Sequence, residues 1–169
     1  MNKEEVVKQT EEHIKNVKMF LGYIVDEIIE RGVTHDKSKL EEPELETFCT
    51  YTKKLANSTY GSEEYKTFLK EMKPALDHHY AENRHHPEHF KKGIDDMNIL
   101  DLIEMLCDWK AATMRHNDGN IIKSIEYNTK RFNLSEQLKN ILLNSVCLFD
   151  RANAVQQRLS VTNNRSTLD

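Results

Sequence analysis

Five of the chain's eight histidines fall within twelve residues, in the run His78-His79-Tyr80-Ala81-Glu82-Asn83-Arg84-His85-His86-Pro87-Glu88-His89. Imidazole is the commonest metal-ligating side chain and titrates near neutral pH. The cluster therefore points to a metal site, a proton-transfer site, or both. Two further groups extend it, His35-Asp36 upstream and Asp108 downstream. Together they predict one buried cation site assembled from several helices.

On a helix, His79 and Asn83 share one face, and His78 and Glu82 share the neighbouring one. His85 or His86 then reaches the same space from the turn before Pro87, while His89 reads as a solvated surface group. Residues 99–112 supply the third piece. Ile99, Leu102, Ile103 and Leu106 form one face of a helix; Asp101, Glu104, Met105, Asp108 and Ala112 form another. Glu104 and Asp108 are four apart, a like-charge pair. Their small and apolar neighbours predict that this face is covered, and a covered acidic pair needs a metal or a basic side chain. A solvated carboxylate stripe is the alternative.

The elements that must position these groups are helical. A chain of 169 residues, 31% charged, with only five glycines and three prolines, is read as one all-α domain over residues 1–160 with a polar tail at 161–169. The first helix is expected at 3–30, stopped by Gly32, with Ile14, Val17, Leu21, Ile24 and Ile28 as its buried stripe and His13 beside it. Pro43 belongs in the first turn of the next helix, whose apolar side is Leu45, Phe48, Thr52 and Leu55. Residues 57–62 form a loop with Ser62 as an N-cap. Pro74 restarts the chain ahead of the histidines, and Pro87 ends that regularity. Helices at 99–115, 121–132 and 134–159 complete the list, with a turn at 116–120 and an Asn133/Glu136 capping box. Trp109 reads as a packing residue, and Ser124, Asn128 and Arg131 as core or surface.

A formal net charge of -4 argues against stable nucleic-acid binding but permits a nucleotide substrate if a metal supplies local positive charge. Cys49, Cys107 and Cys147 form no Cys-x-x-Cys pair and are expected as reduced core thiols. No apolar signal segment or membrane-length run is present in the sequence, so a cytoplasmic protein without a membrane partner is expected. Phosphate-cradling glycine loops and serine or cysteine nucleophile motifs are absent.

The order His13, His35-Asp36, histidine cluster, Asp108 resembles the HD superfamily, the His–Asp metal-dependent phosphohydrolases. His35-Asp36-Lys37-Ser38-Lys39 is similar to that family's His-Asp-x-Gly-Lys turn, with Ser38 in place of glycine. His78-His79 is similar to the central histidines of its two-metal members. Asp108-Trp109-Lys110-Ala111-Ala112 looks like the helix carrying the closing aspartate. Within the superfamily the chain is most like a small bacterial and phage family with Asn-x-His-His-Pro-Glu and Glu-Met-x-x-Asp-Trp segments, here at 83–88 and 104–109, over about 13–145.

The resemblance implies a helical bundle of six or seven helices. It implies His13, His35, Asp36 and Asp108 as core ligands, Asp36 able to bridge two metals, and His79 with His85 or His86 completing a second position. Lys39 would orient a phosphate or stabilise developing charge, and Glu104 would orient a ligating histidine. Arg84 and Arg115 are either phosphate contacts or surface groups. One or two divalent ions of manganese, iron, cobalt, nickel or zinc suit such ligands. The implied reaction is hydrolysis of a small phosphate ester, a nucleotide or cyclic nucleotide, by metal-activated water. A di-iron oxygenase and a non-catalytic nucleotide-binding protein of phage origin are the alternatives. Oligomeric state is left open.

Overall fold

Asn2 opens the first helix reciprocally. Its side chain accepts from the Glu5 N–H, and its own N–H donates to Glu5 Oε2, each at 2.9 Å. The computed structural model describes residues 2–58, 62–115 and 119–150. Among them are seven α-helices, three short 3₁₀ turns and no strand, so the all-α expectation holds. The chain divides into two compact units, Met1–Glu104 and Met105–Asp169.

In the first unit α1 spans Lys3–Thr34. It runs through Gly32, which costs only about 1 kcal/mol in a helix interior. The stop comes instead at Asp36, whose φ of 56° breaks the right-handed course. The expected stripe is present, but α1 holds no buried residue. Ile14 is 59% exposed and Leu21 57%.

The 3₁₀ turn Lys37–Leu40 leads to α2 (Glu44–Asn57), with Pro43 immediately before it. Glu44 is buried in α2, whereas Leu45 is 40% exposed. Ser62 caps α3 (Glu63–Glu71), its hydroxyl accepting from the Tyr65 N–H at 3.1 Å. Pro74 sits in the first turn of α4 (Lys73–Glu82), where its missing N–H is harmless. Two 3₁₀ turns follow, Pro87–His89 and Gly93–Asp96. Gly93 takes a left-handed φ of 58° that suits a residue without Cβ. Asn98 then caps α5 (Ile99–Thr113), accepting from the N–H groups of Leu100 and Asp101 at 2.8 and 3.0 Å.

Buried apolar side chains are few in this unit, Met72 and Ala75 among them; Glu44, His79, Asn83, His85 and Asp101 are buried beside them. Its interior is largely polar.

The second unit is conventional by contrast. Met105, Leu106, Trp109, Ile121, Ile125 and Leu142 are buried, and the Trp109 and Phe132 rings stack at 6.3 Å. Asn120 caps α6 (Ile121–Phe132), which has the expected bounds. Asn133, at φ 50°, ends α6 as a left-handed C-cap. That conformation removes it from the expected capping box; Ser135 caps α7 (Glu136–Ser145) instead, accepting from the Leu138 N–H at 3.2 Å. The expected helix beyond 150, the tail at 161–169, and parts of the loops at 59–61 and 116–118 lie outside the described residues.

The three cysteines, expected as core thiols, form no disulfide among the described residues and are exposed. Cys49 stands about 140° around α2 from Glu44, and Cys107 about 200° around α5 from Met105, so both miss the buried sides. No described helix is long and apolar enough to cross a membrane.

Candidate metal centre

Asp36 sits in the left-handed region between α1 and the following turn, a conformation that aspartate tolerates and that clusters at functional sites. Its Oδ1 lies 3.4 Å from His79 Nε2 and 3.5 Å from His85 Nε2. Its Oδ2 accepts from Lys39 Nζ at 2.6 Å and stands 3.6 Å from His35 Nε2. His79 comes from α4. That helix ends at Glu82, and the extended backbone of Asn83 and His86 brings the next two histidines back toward it. His79 Nε2 and His86 Nε2 are 2.9 Å apart. Asp36, His79, His85 and His86 each offer one ligand atom within 4.8 Å of the others.

The far edges of the rings are anchored by carboxylates. Glu44 accepts from His79 Nδ1 at 2.9 Å and, through its other oxygen, from His78 Nδ1 at 2.8 Å. Glu104 Oε1 accepts from His35 Nδ1 at 2.9 Å and His85 Nδ1 at 3.1 Å. An ionised carboxylate only accepts, so each of these Nδ1 atoms donates, and in the neutral ring Nε2 then presents a lone pair. The lone pair of His85 Nε2 thus faces Asp36 Oδ1, while that of His79 Nε2 faces both Asp36 Oδ1 and His86 Nε2. Asp36 Oδ1 and His85 Nε2 are buried without a hydrogen-bond partner among the described residues. Each such orphan costs about 1–3 kcal/mol, and a cation at their meeting point satisfies both.

Electrostatics agree with that reading. Burial and the nearby Lys39 charge push the His79 pKa down, against the pull of Asp36 and Glu44, which favours the neutral ligand form. Burial tends to raise the Asp36 carboxyl, but the Lys39 hydrogen bond and charge outweigh it and hold it below its usual range. Glu104 is likewise opposed by burial, yet its bonds from His35 and His85 bring it down to about 2.

A supporting layer surrounds these groups. The Asn83 amide donates to Ser38 Oγ and to the His79 carbonyl, both at 2.8 Å. Arg31 donates to Asp101 at 2.7 Å and Glu104 at 3.4 Å, and Arg84 grips the fully buried Asp101 through two nitrogens at 3.2 and 3.1 Å. Burial tends to raise Asp101 too, but Arg31, the Asn98 N–H and Arg84 keep it low. Arg31, Arg84, His35 and His85 border a cavity of about 210 Å³.

Of the residues singled out from sequence, His35, Asp36, Lys39, His79, His85, His86 and Glu104 come together in the first unit, with Arg84 at their margin. His13 does not. It is exposed on α1, and 22 residues of unbroken helix carry it about 33 Å from His35. Asp108 is half-buried one turn beyond Glu104 on α5, in the second unit, and Arg115 is exposed past the end of that helix. His89 donates to the Tyr80 carbonyl at 2.9 Å, a structural bond. Sequence reasoning missed Glu44 and Arg31. Glu44 looks like any first-turn acid, though its place directly after Pro43 is a local signal; Arg31 looks like a routine last-turn base.

No curated protein and no solved structure matches the chain. A family model, described as a family of unknown function (DUF5662), matches residues 2–148, nearly the whole of the chain and the whole of the histidine centre. The protein is therefore a member of the DUF5662 family.

Proposed function

We propose that this protein is a metal-dependent phosphohydrolase of the HD type, acting on a small phosphate ester such as a nucleotide or cyclic nucleotide. The observation that carries the reading is the pair of buried, unpartnered acceptors, Asp36 Oδ1 and His85 Nε2, beside two further imidazoles. Their mixed nitrogen and oxygen donors suit a divalent transition metal, with Asp36, His79, His85 and His86 as its holders. When bound there, such an ion lowers the pKa of a coordinated water and neutralises charge on a phosphoryl oxygen.

The chain's own groups do the rest. Glu44 and Glu104 fix the ring tautomers. Lys39, seated on Asp36 Oδ2, holds positive charge next to the reacting phosphate. Arg84, half-exposed at the edge of the cavity bordered by His35, His85, Glu82 and Glu104, is a cation placed to meet an anionic group there.

The test is a screen of phosphomonoesters, phosphodiesters and cyclic nucleotides with Mn²⁺, Co²⁺, Ni²⁺, Zn²⁺, Fe²⁺ or Mg²⁺. The proposal expects metal-dependent turnover that Asp36→Asn abolishes and His89→Ala leaves within twofold. Metal-loaded protein that hydrolyses none of these esters contradicts it.

A further inference from the structure

A carboxylate oxygen and two ring lone pairs repel one another, yet Asp36 Oδ1 stands 3.4 Å from His79 Nε2 and 3.5 Å from His85 Nε2. Bonds made elsewhere must hold these groups together. Asp36 precedes the turn Lys37–Leu40, whereas His79 belongs to α4. Asn83 joins the two. Its amide nitrogen donates one hydrogen to Ser38 Oγ in that turn and the other to the His79 carbonyl, both at 2.8 Å. The Asn83 backbone acts in the same direction. Its N–H also donates to the His79 carbonyl, at 3.0 Å, and its own carbonyl accepts from the His86 N–H at 3.3 Å. As the extended C-cap of α4, it is also where the chain leaves the helix toward His85 and His86. With both amide hydrogens so placed, the 3.0 Å approach of Asn83 Nδ2 to His79 Nδ1 leaves that ring proton to Glu44. Asn83 is buried, so water competes little for these bonds.

We propose that Asn83 and Ser38 act as one positioning pair, setting Asp36 against His79 and His86 in the metal-free chain and thereby setting the affinity of the centre for a divalent cation. The inference rests on the reading of Asp36, His79, His85 and His86 as the metal holders; neither Asn83 nor Ser38 is one of them. Ligands already assembled need less ordering when they bind, so a tie that never touches the ion still governs how tightly it is held. Ser38 is the specific half of the pair. It stands where the turn it resembles, His-Asp-x-Gly-Lys, has glycine, which offers no side-chain acceptor. The bond from His89 Nδ1 to the Tyr80 carbonyl, at 2.9 Å, is the natural contrast: it lies in the same stretch of chain but does not reach the turn that follows Asp36.

The experiment measures Co²⁺ affinity of the full chain by chelator competition, and the ligand geometry by visible absorption of the Co²⁺-loaded protein. Ser38→Ala and Asn83→Leu, the latter close to asparagine in volume, are each expected to weaken binding about tenfold and to shift the absorption bands. The double variant is expected to match Asn83→Leu within twofold, because Ser38 acts through Asn83. Ser38→Thr, which keeps the hydroxyl, and His89→Ala are expected to stay within twofold of the parent. Single variants that bind like the parent with unshifted bands overturn the proposal, and so do losses that multiply in the double variant. A parent chain that takes up no Co²⁺ overturns the metal centre and this proposal with it, whereas a parent that binds beside unaffected variants overturns the proposal alone. Where Asn83→Leu fails to fold, Ser38→Ala against Ser38→Thr decides, and equal affinity in those two overturns the pair.

Discussion

Glu44 and Glu104 do similar jobs from different helices. Each accepts hydrogen bonds from two imidazoles, and the rings of His35, His79 and His85 so held present Nε2 to Asp36. Replacing either by glutamine keeps the shape but removes the charge that fixes the tautomer. Glu44→Gln and Glu104→Gln are each expected to weaken divalent-metal affinity by about 10–100-fold in competition with a chromophoric chelator. Asp77→Asn, on the exposed side of α4, is expected to leave it unchanged. Acid sensitivity follows from the same bonds. The Glu104 pKa falls from an ordinary 4.5 to about 2 in the folded chain. A lowered carboxyl stabilises the fold fully above its unfolded value, and that contribution is lost as pH falls through 4.5 toward 2. Urea midpoints measured down this range are expected to drop more steeply for the parent than for Glu104→Gln. At this scale the histidines were legible because five sit close in sequence. Glu44 was not, because its meaning depends on packing 35 residues away.

The elements were legible where local chemistry decides them. Ser62, Pro74, Asn98 and Asn120 each begin or lead into a helix by satisfying or sparing its first N–H groups. Reading failed where two signals competed. Gly32 offered a stop, but the backbone turned four residues later at Asp36, and Ser135 displaced Asn133 as a cap once Asn133 had become the end of α6. The N-terminus of α5 joins capping to charge. Asp101 accepts from the Asn98 N–H at 2.8 Å while holding Arg31 and Arg84, so one buried carboxylate ties together α1, α5 and the segment carrying His85. Asp101→Asn is expected to cost about 3 kcal/mol of stability by urea denaturation, as breaking a buried ion pair does. Asn98→Ala, losing only the cap, is expected to cost about 1 kcal/mol.

Across the whole molecule the two units differ in what holds them. The second has an ordinary apolar core around Ile125 and Trp109, whereas the first buries carboxylates and imidazoles. Such an interior is costly unless its charges are paired, and Asp36 Oδ1 and His85 Nε2 remain without a hydrogen-bond partner among the described residues. A cation binding there therefore adds stability by mass action, about 2.7 kcal/mol at a hundredfold excess over Kd. Thermal unfolding of chelator-treated protein is expected to shift upward on adding Mn²⁺, Co²⁺ or Zn²⁺, and not to shift in Asp36→Ala. The composition pointed to an all-α chain; that its first interior is polar followed only once helices were placed around Asp36. The most direct test of the account is an anomalous-scattering map from crystals of protein loaded with one of these metals. The account predicts an ion about 2.0–2.2 Å from Asp36 and from the Nε2 atoms of His79, His85 and His86. A map with no ion among those four residues, from protein that elemental analysis finds metal-free after loading, contradicts it.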